Sequence, residues 1–223
     1  MKIVLVSATV GEIQPVLTHL DQYARTISLS EYEYRQHCII PFVTGVGSPA
    51  TAFAMGRFRN FGLDDLILHV GISGSYTPQI ALGSVVEVTE ERWADLGAEN
   101  ADGSLIDLFE LGLADPSQKP YKSGVLVNKK SSLKTGLVQV SGQTVNMASG
   151  TSETSRRVHR HRGIAVESME GAAVFYAAAM WDIPLISVRA ISNLVAIRDK
   201  TKWNIPLAIR NLNEFIINFL DRN

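Results

Sequence analysis

Short apolar runs rich in β-branched residues recur along the chain, and longer segments in which apolar positions follow a helical period separate them. The apolar runs predict buried strands, at residues 2–7, 38–43, 66–70, 84–89, 136–141 and 184–191. The longer segments predict helices, at residues 12–23, 50–61, 151–161, 168–181 and 205–220. Pro15 would be tolerated in the first turn of the first helix, and the polar residues 100–121 predict a surface loop with some helix. Strands that alternate with helices predict an α/β protein.

Two glycine-rich segments, residues 44–49 and 71–75, come directly after predicted strands. Each one alone is explained by turn chemistry, because glycine adopts positive φ angles without a steric penalty. Together, at the ends of two strands, they indicate backbone that comes close to a small ligand. Gly47, Ser73 and Gly74 are the candidate contacts.

Composition narrows the class of protein. A length of 223 residues with 46% hydrophobic residues suits a single domain, residues 1–223, with a sizeable core. The net charge of −1 gives no electrostatic footprint for nucleic acid or an acidic membrane, so neither is an expected partner. Cys38 is the only cysteine, which excludes an internal disulfide. No apolar run reaches the roughly 18 residues of a membrane span and no signal peptide is recognisable, so we expect a soluble, cytoplasmic protein.

The most informative residues lie near the end of the chain. One apolar strand precedes Met169 and Glu170, and another precedes Asn193, which places a thioether, a carboxylate and an amide at the ends of two strands. In open α/β sheets, ligands bind at the carboxyl ends of the strands. Each residue also has a purely structural interpretation: a methionine in the core, an acid in a first helical turn and an asparagine that bonds its own backbone.

The segments 166–173 and 188–193 resemble the nucleoside phosphorylase and nucleosidase superfamily. The resemblance implies a three-layer α/β/α sandwich around a mixed, partly closed β-sheet. It also implies that Met169 and Glu170 hold a ribose and that Asn193 meets a purine.

Glu12 follows the first strand near the start of a helix. The helix dipole favours acidic residues at this position, and on sequence alone this structural interpretation is favoured. The functional alternative is a general base that takes a proton from water. The resemblance supports this role, because related purine nucleosidases carry a glutamate after the first strand. Arg189 lies in an apolar strand and needs a partner if it is buried. Glu12, Glu170 or a surface acid are candidates, and the resemblance implies a supporting place in the water pocket.

Asn193 stands where the superfamily usually has aspartate. Hypoxanthine offers two hydrogen-bond acceptors, N7 and the carbonyl oxygen, whereas adenine offers an acceptor at N7 and a donor at its amine. The side-chain amide of asparagine carries two N–H donors and matches the first pattern. This residue therefore predicts a 6-oxopurine nucleoside, with the leaving group activated by hydrogen bonding instead of full proton transfer.

Water is the expected nucleophile. Phosphorylases of the superfamily surround the phosphate with basic residues, whereas His69 replaces the expected arginine here. The turn after the first strand also contains no arginine or lysine. A phosphate dianion would lack bidentate partners in such a pocket.

Three further residues are candidates for substrate binding. Val145 lies in a segment that stacks on the base in the superfamily, where an aromatic residue is usual. Trp203 and the polar residues before it are expected to close the site, although an ordinary packed tryptophan is the structural alternative. Arg198 is a candidate for the carboxylate of a 5′ substituent. Asn193, Arg198 and Trp203 together are most similar to the futalosine hydrolase family.

The resemblance, together with these residues, implies an N-glycosyl hydrolase that converts futalosine and water into hypoxanthine and dehypoxanthinyl futalosine in menaquinone biosynthesis. No cofactor or metal is expected, because no Cys/His ligand spacing occurs. The alternatives are a nucleosidase for methylthioadenosine, S-adenosylhomocysteine or aminofutalosine, a purine nucleoside phosphorylase, and a nucleoside-binding protein without catalysis. The expected partner is a small-molecule nucleoside, and the resemblance implies a homodimer or larger homo-oligomer.

Overall fold

The computed structural model describes residues 1–28, 30–58, 61–62, 65–159, 161, 163–196 and 199–223. Its strands are β1 (Lys2–Ser7), β2 (Arg25–Ser28), β3 (Glu31–Tyr34), β4 (His37–Val43), β5 (Leu66–Ser75), β6 (Val85–Trp93), β7 (Gly97–Glu99), β8 (Leu105–Asp107), β9 (Tyr121–Lys122), β10 (Val125–Val127), β11 (Gln139–Thr144), β12 (Ile164–Ser168) and β13 (Leu185–Leu194). Its helices are α1 (Val10–Tyr23), α2 (Ser48–Arg57), α3 (Ser152–Val158), α4 (Gly171–Trp181) and α5 (Ile205–Arg222), and a short 3₁₀ helix spans Lys200–Lys202.

Five strands close into a ring. β5 pairs with β12, β12 with β11, β11 with β6, β6 with β13, and β13 again with β5. From β5 the sheet continues through β1, β4, β3 and β2, and from β6 it continues through β10 and β9. Parallel and antiparallel pairs both occur, so the prediction of a mixed, partly closed sheet is confirmed.

Alternate residues of β1 point into two different cores, because successive side chains of a strand lie on opposite faces. Ile3 and Leu5 pack with residues of α1 and α5 on one face. Val4 and Val6 pack with residues of α2 and α4 on the other. Helices therefore cover both faces of the sheet, as in the predicted three-layer sandwich. In the described part of the chain, no helix combines the length and the apolar character needed to cross a bilayer.

The prediction of a turn at residues 71–75 is wrong. β5 continues through this segment, where it pairs with β13 and β12. Its two glycines make room for neighbouring side chains, as the site shows, instead of forming a turn. The segment 44–49 does turn, with φ angles of +87° and +88° at Gly45 and Gly47.

Other differences involve residues that hydrophobic periodicity describes poorly. α1 begins at Val10, before its predicted start, so Pro15 lies in the helix interior instead of the first turn. β2 and β3 form a hairpin that the sequence does not predict, because β2 is exposed along its whole length. Residues 100–121 contain β8 and no helix, against the expectation of some helix.

Candidate active site

A cleft of about 370 Å³ opens at the ends of β1, β5, β12 and β13. Its lining contains most of the residues that the sequence predicts, namely Glu12, Ser73, Gly74, Val145, Met169, Glu170, Asn193 and Trp203. Gly47 lies outside this lining and donates a hydrogen bond to Glu170. Arg198 lies outside the described residues.

Four donors orient the carboxylate of Glu12 at the start of α1. Oε1 accepts a hydrogen bond from the backbone N–H of Ile72 in β5 over 3.1 Å. Oε2 accepts from the backbone N–H of Thr9 over 3.0 Å and from the hydroxyls of Thr9 and Ser7, each over 3.1 Å. The carboxylate is therefore held between the ends of β1 and β5.

Gly71 in β5 makes room for two charged groups. A Cβ atom at this position would come within 3.0 Å of Oε1 of Glu12 and within 3.0 Å of Nη1 of Arg189. A larger residue would displace one of these groups, since real Cβ atoms rarely approach so closely. The sequence predicts backbone close to a small ligand here, and the groups that lie close to Gly71 in the structure are side chains of the protein itself.

Arg189 is 2% exposed and lies behind the cleft, outside its lining. This position differs from the place in the water pocket that the resemblance implies. Nη2 of Arg189 donates to Nε2 of His69 over 2.7 Å, and no carboxylate of the described residues lies within ion-pair distance. Burial lowers the pKa of Arg189, while Glu170, Glu91 and Glu12 act in the opposite direction.

His69 is a neutral hydrogen-bond acceptor. Arginine can only donate, so the Nε2 atom that contacts it carries no proton. Nδ1 lies 3.3 Å from the hydroxyl of Ser187 and 3.2 Å from the same Nη2 of Arg189. Burial, and secondarily the charge of Arg189, lower the pKa of His69 well below its ordinary value. The pair therefore contributes one positive charge instead of two.

Glu170 comes directly before α4 and is held by the turn that precedes α2. Its Oε1 accepts a hydrogen bond from the backbone N–H of Gly47 over 2.8 Å. Ser48, the next residue of that turn, donates its hydroxyl to the backbone carbonyl of Met169 over 3.1 Å. Burial raises the pKa of Glu170, against the lowering effect of the Gly47 hydrogen bond. The turn therefore fixes Met169 and Glu170, which is a different use of Gly47 from the direct ligand contact that the sequence predicts.

Glu91 of β6 is a buried acid at the N-terminus of α4. Its Oε2 accepts the hydroxyl of Thr144 over 3.1 Å, and that hydroxyl accepts from the backbone N–H of Ala172 over 2.7 Å. A Cβ atom at Gly171 would lie 2.2 Å from Oε1 of Glu91, so a side chain at this position would collide with the acid. Burial raises the pKa of Glu91 to about 8, against the lowering effect of Arg189.

Asn193 lies near the end of β13, where it pairs with Gly74 of β5. Its Oδ1 accepts the hydroxyl of Ser192 over 2.8 Å, and its Nδ2 donates to the backbone carbonyl of Leu194 over 3.1 Å. One of the two amide hydrogens therefore already has an acceptor. A Cβ atom at Gly74 would come within 3.1 Å of Nδ2, so this glycine makes room for the amide. Beside it, the hydroxyl of Ser73 is buried and has no partner among the described residues.

Glu167 belongs to the cleft, although the sequence does not select it. Its carboxylate accepts the hydroxyl of Tyr76. It also accepts the backbone N–H and the hydroxyl of Ser149, over 3.0 and 2.8 Å. Gln143 donates to the hydroxyl of Tyr76 over 2.6 Å, and burial raises the pKa of that tyrosine. These residues come from four separate segments, which is why no local pattern identifies the network.

Two further predicted residues flank the cleft. Val145 is fully buried and packs with Ala94, Val158 and Met169 in a small apolar cluster. Trp203 is half-buried and lies in the segment between the 3₁₀ helix and α5.

The charged groups of the cleft are acidic. Glu12, Glu167 and Glu170 contribute carboxylates, and the lining residues that the structure describes include no lysine, arginine or histidine. A phosphate dianion that entered the cleft would meet like charges, whereas positive charge that develops on a sugar would be stabilised. The arrangement therefore suits an oxocarbenium-like transition state that is attacked by water.

Similarity to known proteins defines the family. Residues 2–221 match the model of the phosphorylase superfamily, and the chain belongs to that superfamily. A relative from Streptomyces coelicolor, a futalosine hydrolase, is 33% identical over 152 residues, which are 68% of this chain. The match spans 63% of that relative, less than two thirds of its length.

Solved structures share the fold. The futalosine hydrolase of Helicobacter pylori strain 26695 matches with a TM-score of 0.78 and 14% identity, covering 100% of this chain and 98% of that one. A 5′-methylthioadenosine/S-adenosylhomocysteine nucleosidase from Colwellia psychrerythraea, in complex with adenine, matches with a TM-score of 0.77 and 17% identity, covering 100% and 95%. The Streptomyces coelicolor and Helicobacter pylori proteins are futalosine hydrolases and the Colwellia psychrerythraea protein is a nucleosidase, so the relatives belong to the class of enzyme that the sequence predicts.

Proposed function

We propose that this enzyme hydrolyses the N-glycosidic bond of futalosine to give hypoxanthine and dehypoxanthinyl futalosine in menaquinone biosynthesis. The observation that carries the proposal is the set of polar groups in the cleft, where three carboxylates accompany the amide of Asn193 and no described lining residue is cationic. The carboxylates favour a ribose that becomes positively charged. The amide favours a 6-oxopurine as the leaving group.

Glu12 is the general base in this proposal. It accepts a proton from the water whose oxygen forms a bond to the anomeric carbon. The electron pair of the breaking C–N bond passes to the purine, which takes up a proton on release as hypoxanthine. General base catalysis of this kind contributes about 10²–10⁴-fold to a rate.

Glu170 and Met169 hold the ribose. A carboxylate has about four acceptor positions, so the hydrogen bond from Gly47 leaves room for both ribose hydroxyls. Met169 packs against the sugar, and its backbone is fixed by Ser48. The negative charge of Glu170 also stabilises the oxocarbenium-like sugar.

The base is read by two donors. One N–H of Asn193 is committed to the carbonyl of Leu194, which leaves one for the purine. The unpartnered hydroxyl of Ser73, on the neighbouring strand of the same cleft, is available as the second donor. Together these two groups match the two acceptors of hypoxanthine.

A second candidate is hydrolysis of an adenine nucleoside, which the similarity to the Colwellia psychrerythraea nucleosidase favours. The amine of adenine requires an acceptor beside N7. Oδ1 of Asn193 faces the hydroxyl of Ser192 over 2.8 Å, so it could serve the amine only after the amide rotates. The amide therefore supports the 6-oxopurine as the preferred base.

The proposal is tested by incubating the enzyme with futalosine, aminofutalosine, methylthioadenosine, inosine and adenosine, with and without phosphate, and quantifying the released base and sugar. We expect futalosine to have the highest kcat/KM and hypoxanthine release to be independent of phosphate. Formation of a sugar 1-phosphate would instead identify a phosphorylase. Preference for an adenine nucleoside would support the second candidate, and binding without release would indicate a nucleoside-binding protein.

A further inference from the structure

Helix α1 contains an opening in its backbone hydrogen-bond ladder. Pro15 lies in the helix interior and has no N–H, so the carbonyl of Gly11 loses its helical donor. The next pair in the ladder consists of the carbonyl of Glu12 and the N–H of Val16, which an uninterrupted helix would bond to each other. In this protein both groups bond a side chain from another helix.

That side chain is Asn213 of α5. Its Nδ2 donates to the carbonyl of Glu12 over 2.8 Å, and its Oδ1 accepts from the N–H of Val16 over 3.1 Å. Nδ2 also donates to the carbonyl of Ile209 in its own helix over 2.7 Å. The amide of Asn213 therefore bonds both the carbonyl of Glu12 and the N–H of Val16, which flank Pro15, and links them to α5.

Packing alone does not explain this asparagine. Asn213 is 2% exposed, and its neighbours on the buried face of α5 are apolar, namely Ala208, Leu212, Ile216 and Phe219. A buried amide is unfavourable unless it is hydrogen-bonded, and a leucine of similar size would suit an apolar face. The three hydrogen bonds, two of them to α1, are what account for a polar residue at this position.

The backbone that Asn213 holds belongs to the residue with the most tightly oriented carboxylate in the cleft. Glu12 is fixed at its tip by Ile72, Thr9 and Ser7, and at its backbone by Asn213. Different elements fix the two ends, so a small shift of α1 relative to α5 would move the carboxylate away from its donors.

We propose that Asn213 is a positioning residue for Glu12. By bonding the backbone on both sides of the opening at Pro15, it sets the place from which the carboxylate reaches the nucleophilic water. Asn213 does not line the cleft, so it acts through Glu12. The inference rests on the proposed function, in which Glu12 is the general base.

Asn213→Leu removes the three hydrogen bonds and keeps the approximate volume. We expect it to lower kcat for futalosine by about 10- to 100-fold, because small misplacements of a catalytic group have effects of this size. KM should stay at the parent value, since Met169 and Glu170 lie on other elements. Asn211→Leu is the matched control, because it removes an amide of the same helix that donates to the carbonyl of Gly83 over 2.8 Å. The control should keep the parent kcat.

The decisive measurement repeats the substitution in a Glu12→Gln background. A residue that acts through Glu12 loses its effect when the base is absent, so the double variant should have the kcat of Glu12→Gln alone. Asn213 would instead be a general structural residue if its substitution lowered kcat by the same factor in both backgrounds. A parent kcat in a folded Asn213→Leu variant would also overturn the inference.

Two more variants apply if the leucine variant does not fold. Asn213→Asp keeps an acceptor for Val16 but loses the donor to the Glu12 carbonyl, and should also lower kcat. Pro15→Ala restores the missing N–H, so it should recover part of the kcat lost in Asn213→Leu or Asn213→Asp. A parent kcat for Asn213→Asp, or no recovery by Pro15→Ala, would count against the inference.

Failure of the proposed function is distinguishable from failure of this inference. A parent enzyme that releases no base from any of the tested nucleosides overturns the function, and the role of Asn213 falls with it. A parent enzyme that hydrolyses futalosine while the Asn213 variants remain unimpaired overturns only the role of Asn213.

Discussion

Nη2 of Arg189 lies 2.7 Å from Nε2 of His69, and both side chains are almost completely buried. Because arginine stays charged, this contact requires a neutral histidine. The positive charge of Arg189 lies near the acidic side chains of Glu170, Glu91 and Glu12, which raise the pKa of Arg189 while burial lowers it. Arg189 thus provides a positive charge behind the acidic cleft. Because Arg189 does not line the cleft, an anionic nucleophile in the cleft would not contact it.

His69→Gln should change stability in acid. The folded protein keeps His69 neutral, whereas the unfolded chain takes up a proton as the pH falls through the ordinary value of 6.5. The unfolded state therefore gains stability below that pH. Glutamine keeps an acceptor for Arg189 and does not titrate. The Tm of the parent should fall more steeply than that of the variant between pH 6.5 and about pH 5, and parallel slopes would show that the folded protein protonates His69.

Glu91→Gln should also change how Tm depends on pH, but at higher pH. Here the parent loses stability as the pH rises instead of as it falls. Burial raises the pKa of Glu91 from 4.5 to about 8, so the folded protein retains a proton that the unfolded chain has released. The contribution of Glu91 to the free energy of unfolding is complete below pH 4.5 and is lost as the pH rises through about 8. Glutamine resembles the protonated acid, so the Tm of the variant relative to the parent should rise between pH 6.5 and about pH 8.5. Glu90→Gln is the control on the same strand, and an equal response of both variants would contradict the assignment.

Glu12→Gln tests the general base. Glutamine preserves the shape of the side chain but cannot take a proton from water, so kcat for futalosine should fall by about 10²–10⁴-fold. KM should change little, because the ribose and base contacts lie on other residues. Glu33→Gln, which changes an exposed carboxylate that pairs with Arg25, serves as the control. Turnover of Glu12→Gln at the parent rate would remove Glu12 from the mechanism.

Glu170→Gln should impair binding and turnover together. The side-chain oxygen of glutamine can still accept the Gly47 N–H, but the charge that attracts the ribose hydroxyls and the oxocarbenium-like sugar is lost. We expect KM to rise and kcat to fall, and steady-state kinetics with futalosine measure both. A change in KM alone would restrict Glu170 to ground-state binding.

Asn193→Asp tests how the base is read. An ionised aspartate offers no donor to a 6-oxopurine, and a protonated one complements N7 and the amine of adenine. The ratio of kcat/KM for futalosine to that for aminofutalosine should therefore fall, by as much as about 10⁴-fold if a buried group is left unpaired. An unchanged ratio would mean that Asn193 does not read the base, and the support for a 6-oxopurine would reduce to similarity with futalosine hydrolases.

Hydrophobic periodicity is sufficient for elements with a continuous buried face. It predicts β1, which is buried from Ile3 onward, and the amphipathic α5. It misses β2, which is exposed at every position and has no buried apolar face. It also ends β5 too early, because the glycines that admit Glu12 and Asn193 have the composition of a turn.

Residues of the candidate site are likewise predictable only where a local sequence pattern singles them out. Glu12, Glu170 and Asn193 are predictable because each stands just after, or near the end of, an apolar strand, where a local pattern draws attention to it. Asn213 and Glu91 are not, because their partners are distant in sequence. Asn213 bonds a backbone carbonyl 201 residues away, and Glu91 bonds a hydroxyl 53 residues away. A single sequence contains no local signal for such pairs.

The closed ring of strands has a consequence for biosynthesis. The ring is complete only when β13 pairs with both β5 and β6, and α1 is tied to α5 across 201 residues. Such contacts form late, because long loops must close before the contacts are gained. If Asn213 positions Glu12 as proposed, Glu12 is held in place only after α5 has been synthesised and packed against α1. Under the proposed function, hydrolase activity therefore requires the completed fold.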